Sequence, residues 1–200
     1  TKYSLIIIDE MVVFSNSIGD ITAVDVETGL IKWQLPTQSS IIKSKSYNLN
    51  LSKLISDSNS IFFSINRNEF YSIDINTGTI NWINKINSNI DPLIIGNLII
   101  TVSSQGYLYL LEKNTGNIIR VTDLFKNYSN KQKEEIFPVG FVVGAKNLYL
   151  TVTNGNMIIA RLDTGEIIKI KEIAKSMVSS PFIFNNNLYL IKNGSIIQYN

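Results

Sequence analysis

The residues best placed to do chemistry in this chain are carboxylates beside a recurring Thr-Gly dipeptide. Asp25 precedes Thr28-Gly29, Asp74 precedes Thr77-Gly78 and Glu112 precedes Thr115-Gly116. Before Thr164-Gly165 the same place holds Arg161, and Asp163 stands closer to the turn. A carboxylate can serve as a general base or a metal ligand, but chemistry happens once in a chain. Acidic side chains that recur at one place of a repeat are more simply explained as turn caps, which accept hydrogen bonds from backbone two and three residues on. They are read here as structural. There is no His, which removes the commonest general base and metal ligand, and no Cys, which removes disulfides, thiolate sites and a Cys nucleophile. Ser179-Ser180-Pro181 therefore has no His or Cys to activate it. No phosphate-cradling Gly loop, EF-hand pattern or Ser-centred elbow occurs. A Lys tuned by burial remains open as a base, although no Lys is marked out by the pattern.

The elements that carry these residues repeat. The turn glycines Gly29, Gly78, Gly116 and Gly165 are 49, 38 and 49 residues apart, near the roughly 40–45-residue period of four-stranded blades. An alternating stretch leads into each turn (Asp20–Val26, Glu69–Ile75, Gly106–Glu112, Asn156–Leu162). Another leads out of it (Leu30–Leu35, Thr79–Ile86, Asn117–Val121, Glu166–Ile170). Period-two patterning on both sides of an Asp/Asn/Thr/Gly cluster predicts a β-hairpin. Further apolar segments lie upstream of each hairpin. A fifth unit begins at Pro181–Phe184 and reaches Ser195–Tyr199, for about nineteen strands and no amphipathic helix. The predicted units span approximately 1–36, 51–87, 90–123, 136–172 and an incomplete 178–200, within one domain covering 1–200.

Trp33 and Trp82 each stand four residues after a turn glycine, where a large ring can wedge between adjacent sheets and fix their angle. Arg120 and Lys169 take that place in the later units, and their aliphatic stems cover the same surface more weakly. Two connections are longer than the rest, Pro36–Asp57 and Asp123–Glu135. Long loops between blades project from a rim where partners are met. In the second of them, Phe125 and Tyr128 are candidate apolar anchors for a partner, flanked by the basic Lys131 and Lys133.

The segments Asp25–Trp33 and Asp74–Trp82, of the form Asp-x-x-Thr-Gly-x-x-x-Trp, and the Gly-x-Leu-x-x-Leu of Gly106–Leu111 resemble the quinoprotein-type (PQQ-like) repeat. The resemblance covers essentially the whole chain and implies an all-β propeller of four-stranded antiparallel blades, about four to five of them present, as part of a larger eight-bladed ring. Its repeats are most like the BamB type, a non-enzymatic periplasmic propeller lipoprotein of outer-membrane β-barrel assembly. That likeness implies a protein-binding scaffold without a cofactor, associated with the outer membrane, with assembly components as partners. The alternative branch is the PQQ-dependent alcohol dehydrogenases, which would imply PQQ with calcium and an Asp base. No cluster here maps onto those ligands.

Composition narrows the setting. A formal charge of +2, with 18 Lys and Arg dispersed through the chain, does not point to nucleic acid. No apolar run reaches the roughly 18–20 residues of a membrane-spanning helix, and no signal peptide is visible. The chain opens without Met in a strand-like segment, so the expectation is of a trimmed chain whose export signal or lipid anchor lies upstream.

Overall fold

A computed structural model describes residues 4–16, 20–37, 51–65 and 67–199. Most of the Pro36–Asp57 connection falls on residues 38–50, outside the described residues. The described chain folds into five antiparallel sheets, each with its strands in chain order. The first holds β1 (Leu5–Ile8), β2 (Met11–Ser15), β3 (Ile21–Asp25) and β4 (Ile31–Leu35). The second holds β5 (Ile55–Ser56), β6 (Ser60–Ile65), β7 (Glu69–Asp74) and β8 (Ile80–Asn84), and the third β9 (Leu93–Ile95), β10 (Leu98–Val102), β11 (Tyr107–Glu112) and β12 (Ile118–Asp123). The fourth comprises β13 (Pro138–Gly144), β14 (Asn147–Val152), β15 (Asn156–Arg161) and β16 (Ile167–Glu172). The fifth has three strands, β17 (Phe182–Phe184), β18 (Asn187–Lys192) and β19 (Ser195–Tyr199). One helix of six residues, α1 (Asn130–Glu135), occurs among the described residues, and none there is long and apolar enough to cross a membrane.

The four-stranded blade follows from the sequence pattern. Middle strands are buried on both faces, as in β6, where Ile61, Phe62, Phe63, Ser64 and Ile65 are all buried. Outer strands other than β13, which buries Pro138, Gly140 and Phe141, bury one residue or none, as in β4, where Trp33 is buried and its neighbours are not. Burial on both faces favours continuous apolar runs, and burial on one favours alternation.

The chain divides into two compact units, one of residues 1–101 with 110–119, the other of residues 102–109 with 120–200. In the first, a core of Met11, Val13, Ile21, Ala23, Ile61, Phe63, Tyr71 and Ile73 runs between the first two sheets. Phe63 stacks on Tyr71 at 5.0 Å between centroids. In the second, Met157, Ile173, Val178, Leu188 and Leu190 form a core with Tyr149 and Tyr199 at its margin.

The sequence pattern predicts no amphipathic helix, and α1, which lies within the long Asp123–Glu135 connection, is not one. It has no buried residue, so no apolar stripe announced it. It is held by a capping box: the Ser129 hydroxyl accepts from the Gln132 amide at 3.3 Å, and the Gln132 side chain accepts from the Ser129 amide at 2.9 Å.

Candidate functional site

The repeated Thr-Gly turns are built alike. In each, the turn glycine's N–H donates to the carbonyl four residues back: Gly29 to Asp25, Gly78 to Asp74, Gly116 to Glu112 and Gly165 to Arg161, all at 2.9–3.0 Å. All four glycines have φ between +68° and +77°, a conformation that a Cβ would penalise. The carboxylates of Asp25 and Asp74 close the first two turns. Each accepts from the backbone N–H and the hydroxyl of the turn Thr at 2.9 Å.

Those bonds hold the Asp25 carboxyl at a pKa of about 2, chiefly through the Thr28 amide and hydroxyl, with Lys32 adding its charge at 3.1 Å. Asp74 is lowered by the same Thr amide and hydroxyl of its own turn. In the fourth turn Asp163 instead pairs with Arg161 at 2.7 Å, and that guanidinium holds it at about 2. A group poised for proton transfer at neutral pH would be shifted the other way.

The residue four places after each of the first three turn glycines reaches the turn of the following sheet. In the first unit Trp33 Nε1 donates to the Ile75 carbonyl at 3.0 Å, and its ring lies on Gly78 so closely that a Cβ there would come within 2.5 Å. Trp82 repeats this on the next turn, donating to the Lys113 carbonyl at 3.0 Å and covering Gly116. Asn84, six places after its glycine, adds a bond to the Gly116 carbonyl at 2.7 Å. Lys113 also pairs with Asp57 at 2.6 Å. In the second unit Arg120 donates to the carbonyls of Leu162 and Asp163, and Thr122 packs on Gly165. Sequence spacing marks out these positions. Only the fold shows that these hydrogen bonds span 31 to 43 residues of chain.

A second joint was not anticipated from sequence. In two sheets a hydroxyl near the end of the second strand donates to a carbonyl of the segment that enters the next sheet. Ser64 Oγ donates to the Ser88 carbonyl at 2.9 Å, and Thr151 Oγ1 to the Ser179 carbonyl at 3.0 Å. Ser4 Oγ accepts from the Leu54 amide at 2.8 Å, and the Ser15 hydroxyl accepts from the Ser4 amide. These buried hydroxyls are satisfied, as burial requires. The signal available in sequence was a recurring Ser or Thr at the same strand position, which resembles ordinary β-strand composition.

The loop after β12 differs from its reading as a display of anchors. Phe125 is fully buried, its ring filling the space above Gly106, where a Cβ would come within 2.4 Å. Phe125 therefore anchors its own sheet, because a glycine at that turn leaves room for a ring. Tyr128 packs edge-on against Phe125 at 5.8 Å, and its hydroxyl accepts from Asn156 Nδ2 at 3.1 Å. Lys133 pairs with Asp123 at 2.9 Å. Lys126, Asn127 and Lys131 remain exposed on the loop surface.

Among the described residues no group of three or more His, Cys, Asp or Glu could hold a metal ion. The second unit does contain a half-open cavity of about 640 Å³, lined by Tyr149, Met157, Ile159, Lys169, Lys171 and Tyr199 among others.

Comparison with known proteins places this geometry. A family profile described as outer membrane protein assembly factor BamB matches residues 1–122. No curated protein sequence matches the chain. Among solved structures, BamB from Moraxella catarrhalis aligns over 97% of this chain and 70% of its own, at 14% identity and a TM-score of 0.56. The β-propeller domain of Myceliophteria thermophila Cps50 (Swd1) aligns over 94% of this chain and 60% of its own, at 13% identity and a TM-score of 0.66. The computationally designed Ika8 protein aligns over 98% of this chain and 57% of its own, at 14% identity and a TM-score of 0.71. The fold is that of β-propeller blades, and the chain spans a little over half to about two thirds of the structures it matches.

Proposed function

Because the chain belongs to the family described as outer membrane protein assembly factor BamB, we propose that it is a non-enzymatic scaffold that holds a protein partner in outer-membrane β-barrel assembly. The observation that carries this reading is the family match, joined to what the polar groups of the turns do. The carboxylates at the Thr-Gly turns are engaged in turn closure and ion pairs, and their lowered pKa values keep them charged and poor as bases. The scaffold works in the periplasm at the outer membrane, on the family's precedent, and takes no quinone.

Partner contact falls on the loop that follows β12. Phe125 and Tyr128 stiffen it from beneath, and the capping box fixes α1. Lys126, Asn127 and Lys131 are left to face a partner as polar contacts on a preorganised surface, which lowers the ordering cost of binding.

The test is co-purification of the full-length protein with outer-membrane barrel-assembly components, beside a variant carrying K126E and K131E. Recovery of those components by the wild type, weakened in the variant, supports the proposal. Recovery of none sinks it. Titration with PQQ plus calcium is expected to leave the protein's absorbance unchanged, and dye-linked alcohol oxidation with bound quinone would replace the scaffold reading with the dehydrogenase one.

A further inference from the structure

The connection from β12 to β13 ends in an aromatic ring that the fold leaves half in solvent. Phe137 is 51% exposed, and it is the one exposed phenylalanine among the described residues outside the fifth sheet. It lies in mid-chain, between strands β12 and β13, away from both ends of the sequence. Its backbone is held on both sides: the Phe137 amide donates to Thr153 Oγ1 at 3.0 Å, and the Phe137 carbonyl accepts from the Thr153 amide at 2.9 Å. The neighbours Ile136 and Pro138 are buried, and the Ile136 amide donates to the Gln132 carbonyl of α1 at 3.1 Å. Alternation along this extended backbone turns Phe137 outward between them. A ring on so rigid a mount gains apolar burial on binding at little ordering cost.

The charges of the same connection are sorted by sign. Glu134 and Glu135 close α1 just before the ring, whereas Lys131 stands in its first turn and Lys126 ahead of it. All four are exposed, and none is ion-paired among the described residues. Lys131 and Glu135 are separated by about 6 Å along the helix axis. One short surface thus offers a cation pair, an anion pair and a ring beside the anions. An anionic lipid surface attracts the lysines but opposes the glutamates next to the ring, so it fits this order poorly. A protein surface carrying both signs fits it.

We propose that Phe137 is the apolar anchor of the partner contact, an inference that rests on the scaffold reading and names the chemistry of the partner. The ring seats in an apolar pocket of the protein partner. Basic groups on the rim of that pocket face Glu134 and Glu135, and acidic groups farther out face Lys126 and Lys131. Binding energy concentrates in such a central aromatic, while the surrounding charges set orientation and association rate. Phe125 and Tyr128, which the fold turns inward, support the mount and do not touch the partner.

Titration of purified barrel-assembly components against the full-length protein and its variants tests this, with circular dichroism confirming that each variant folds. F137A is expected to weaken binding about thirtyfold or more, and F137L to lose less because an apolar group still enters the pocket. E134K/E135K is expected to weaken it about tenfold at low salt and less at high salt. Lysines suit the last turn of a helix, so the double variant keeps α1 and decides the matter if F137A does not fold. Binding left unchanged by folded F137A, or by E134K/E135K at low salt, overturns the anchor while the scaffold reading stands. A wild type that binds none of the components removes both. Binding of the wild type to vesicles of anionic phospholipid, lost in F137A while component binding is unchanged, overturns the proposal in favour of a lipid surface.

Discussion

Gly29 and Gly78 provide a matched pair for measuring the joint between the first two sheets. Both sit in Asp-x-x-Thr-Gly turns with the same backbone bonds, at φ +68° and +69°. Substitution by Ala imposes the same left-handed penalty at both, about 1–2 kcal/mol. At Gly29 the new Cβ points into open space, so that penalty is the whole cost. At Gly78 it would lie 2.5 Å from the Trp33 ring, which is itself pinned by its bond to the Ile75 carbonyl, so the ring cannot simply swing away. Overpacking of this kind costs a further 1–3 kcal/mol or so. G78A is therefore expected to destabilise by about 2–5 kcal/mol and G29A by about 1–2 kcal/mol.

Trp33→Ala alone removes a nearly buried indole and costs about 3–5 kcal/mol. In the W33A background G78A should cost no more than G29A, giving a coupling of about 1–3 kcal/mol. Urea unfolding of the four variants, followed by far-ultraviolet circular dichroism, supplies all the terms. Equal costs for G29A and G78A, or no coupling with W33A, would refute the argument that Trp33 is wedged on the second turn.

The Asp25 carboxyl titrates at about 2 in the folded chain against an ordinary 3.8. The folded state thus binds fewer protons than the unfolded one across that interval, and the stability it confers is complete above about pH 4 and lost as pH falls toward 2. D25N keeps an acceptor oxygen but loses the charge, so its unfolding midpoint should fall less between pH 5 and 2 than the wild type's; parallel curves would contradict this. Ser129→Ala removes the α1 cap and should loosen the helix by about 1 kcal/mol. Hydrogen exchange should accelerate at the amides of Gln132 and Lys133 while strand amides of β13 stay protected, and unchanged exchange at Gln132 would show that the cap is idle.

The blade pattern was legible because alternation and turn chemistry are local. Asp25, Thr28 and Gly29 close their turn by bonds between residues at most four apart, and the same letters recur at Asp74–Gly78. Trp33 was conspicuous in sequence, but its acceptor, the Ile75 carbonyl, lies 42 residues on and has no side-chain signature. Phe125 was misread as an exposed anchor for the same reason: the space it fills is created by the missing side chain of Gly106, on a different turn. The helix at Asn130–Glu135 escaped notice because it buries nothing, and only Ser129 and Gln132 mark it.

The most direct test of the joint that defines this fold is hydrogen exchange at the two indole N–H groups by NMR. With Trp33 and Trp82 each donating to a backbone carbonyl of the following sheet at 3.0 Å, both signals should exchange far more slowly than a free indole, Trp33 the slower because it is the more buried. Exchange of both at the rate of a solvent-exposed tryptophan would mean that the sheets are not fastened in this way.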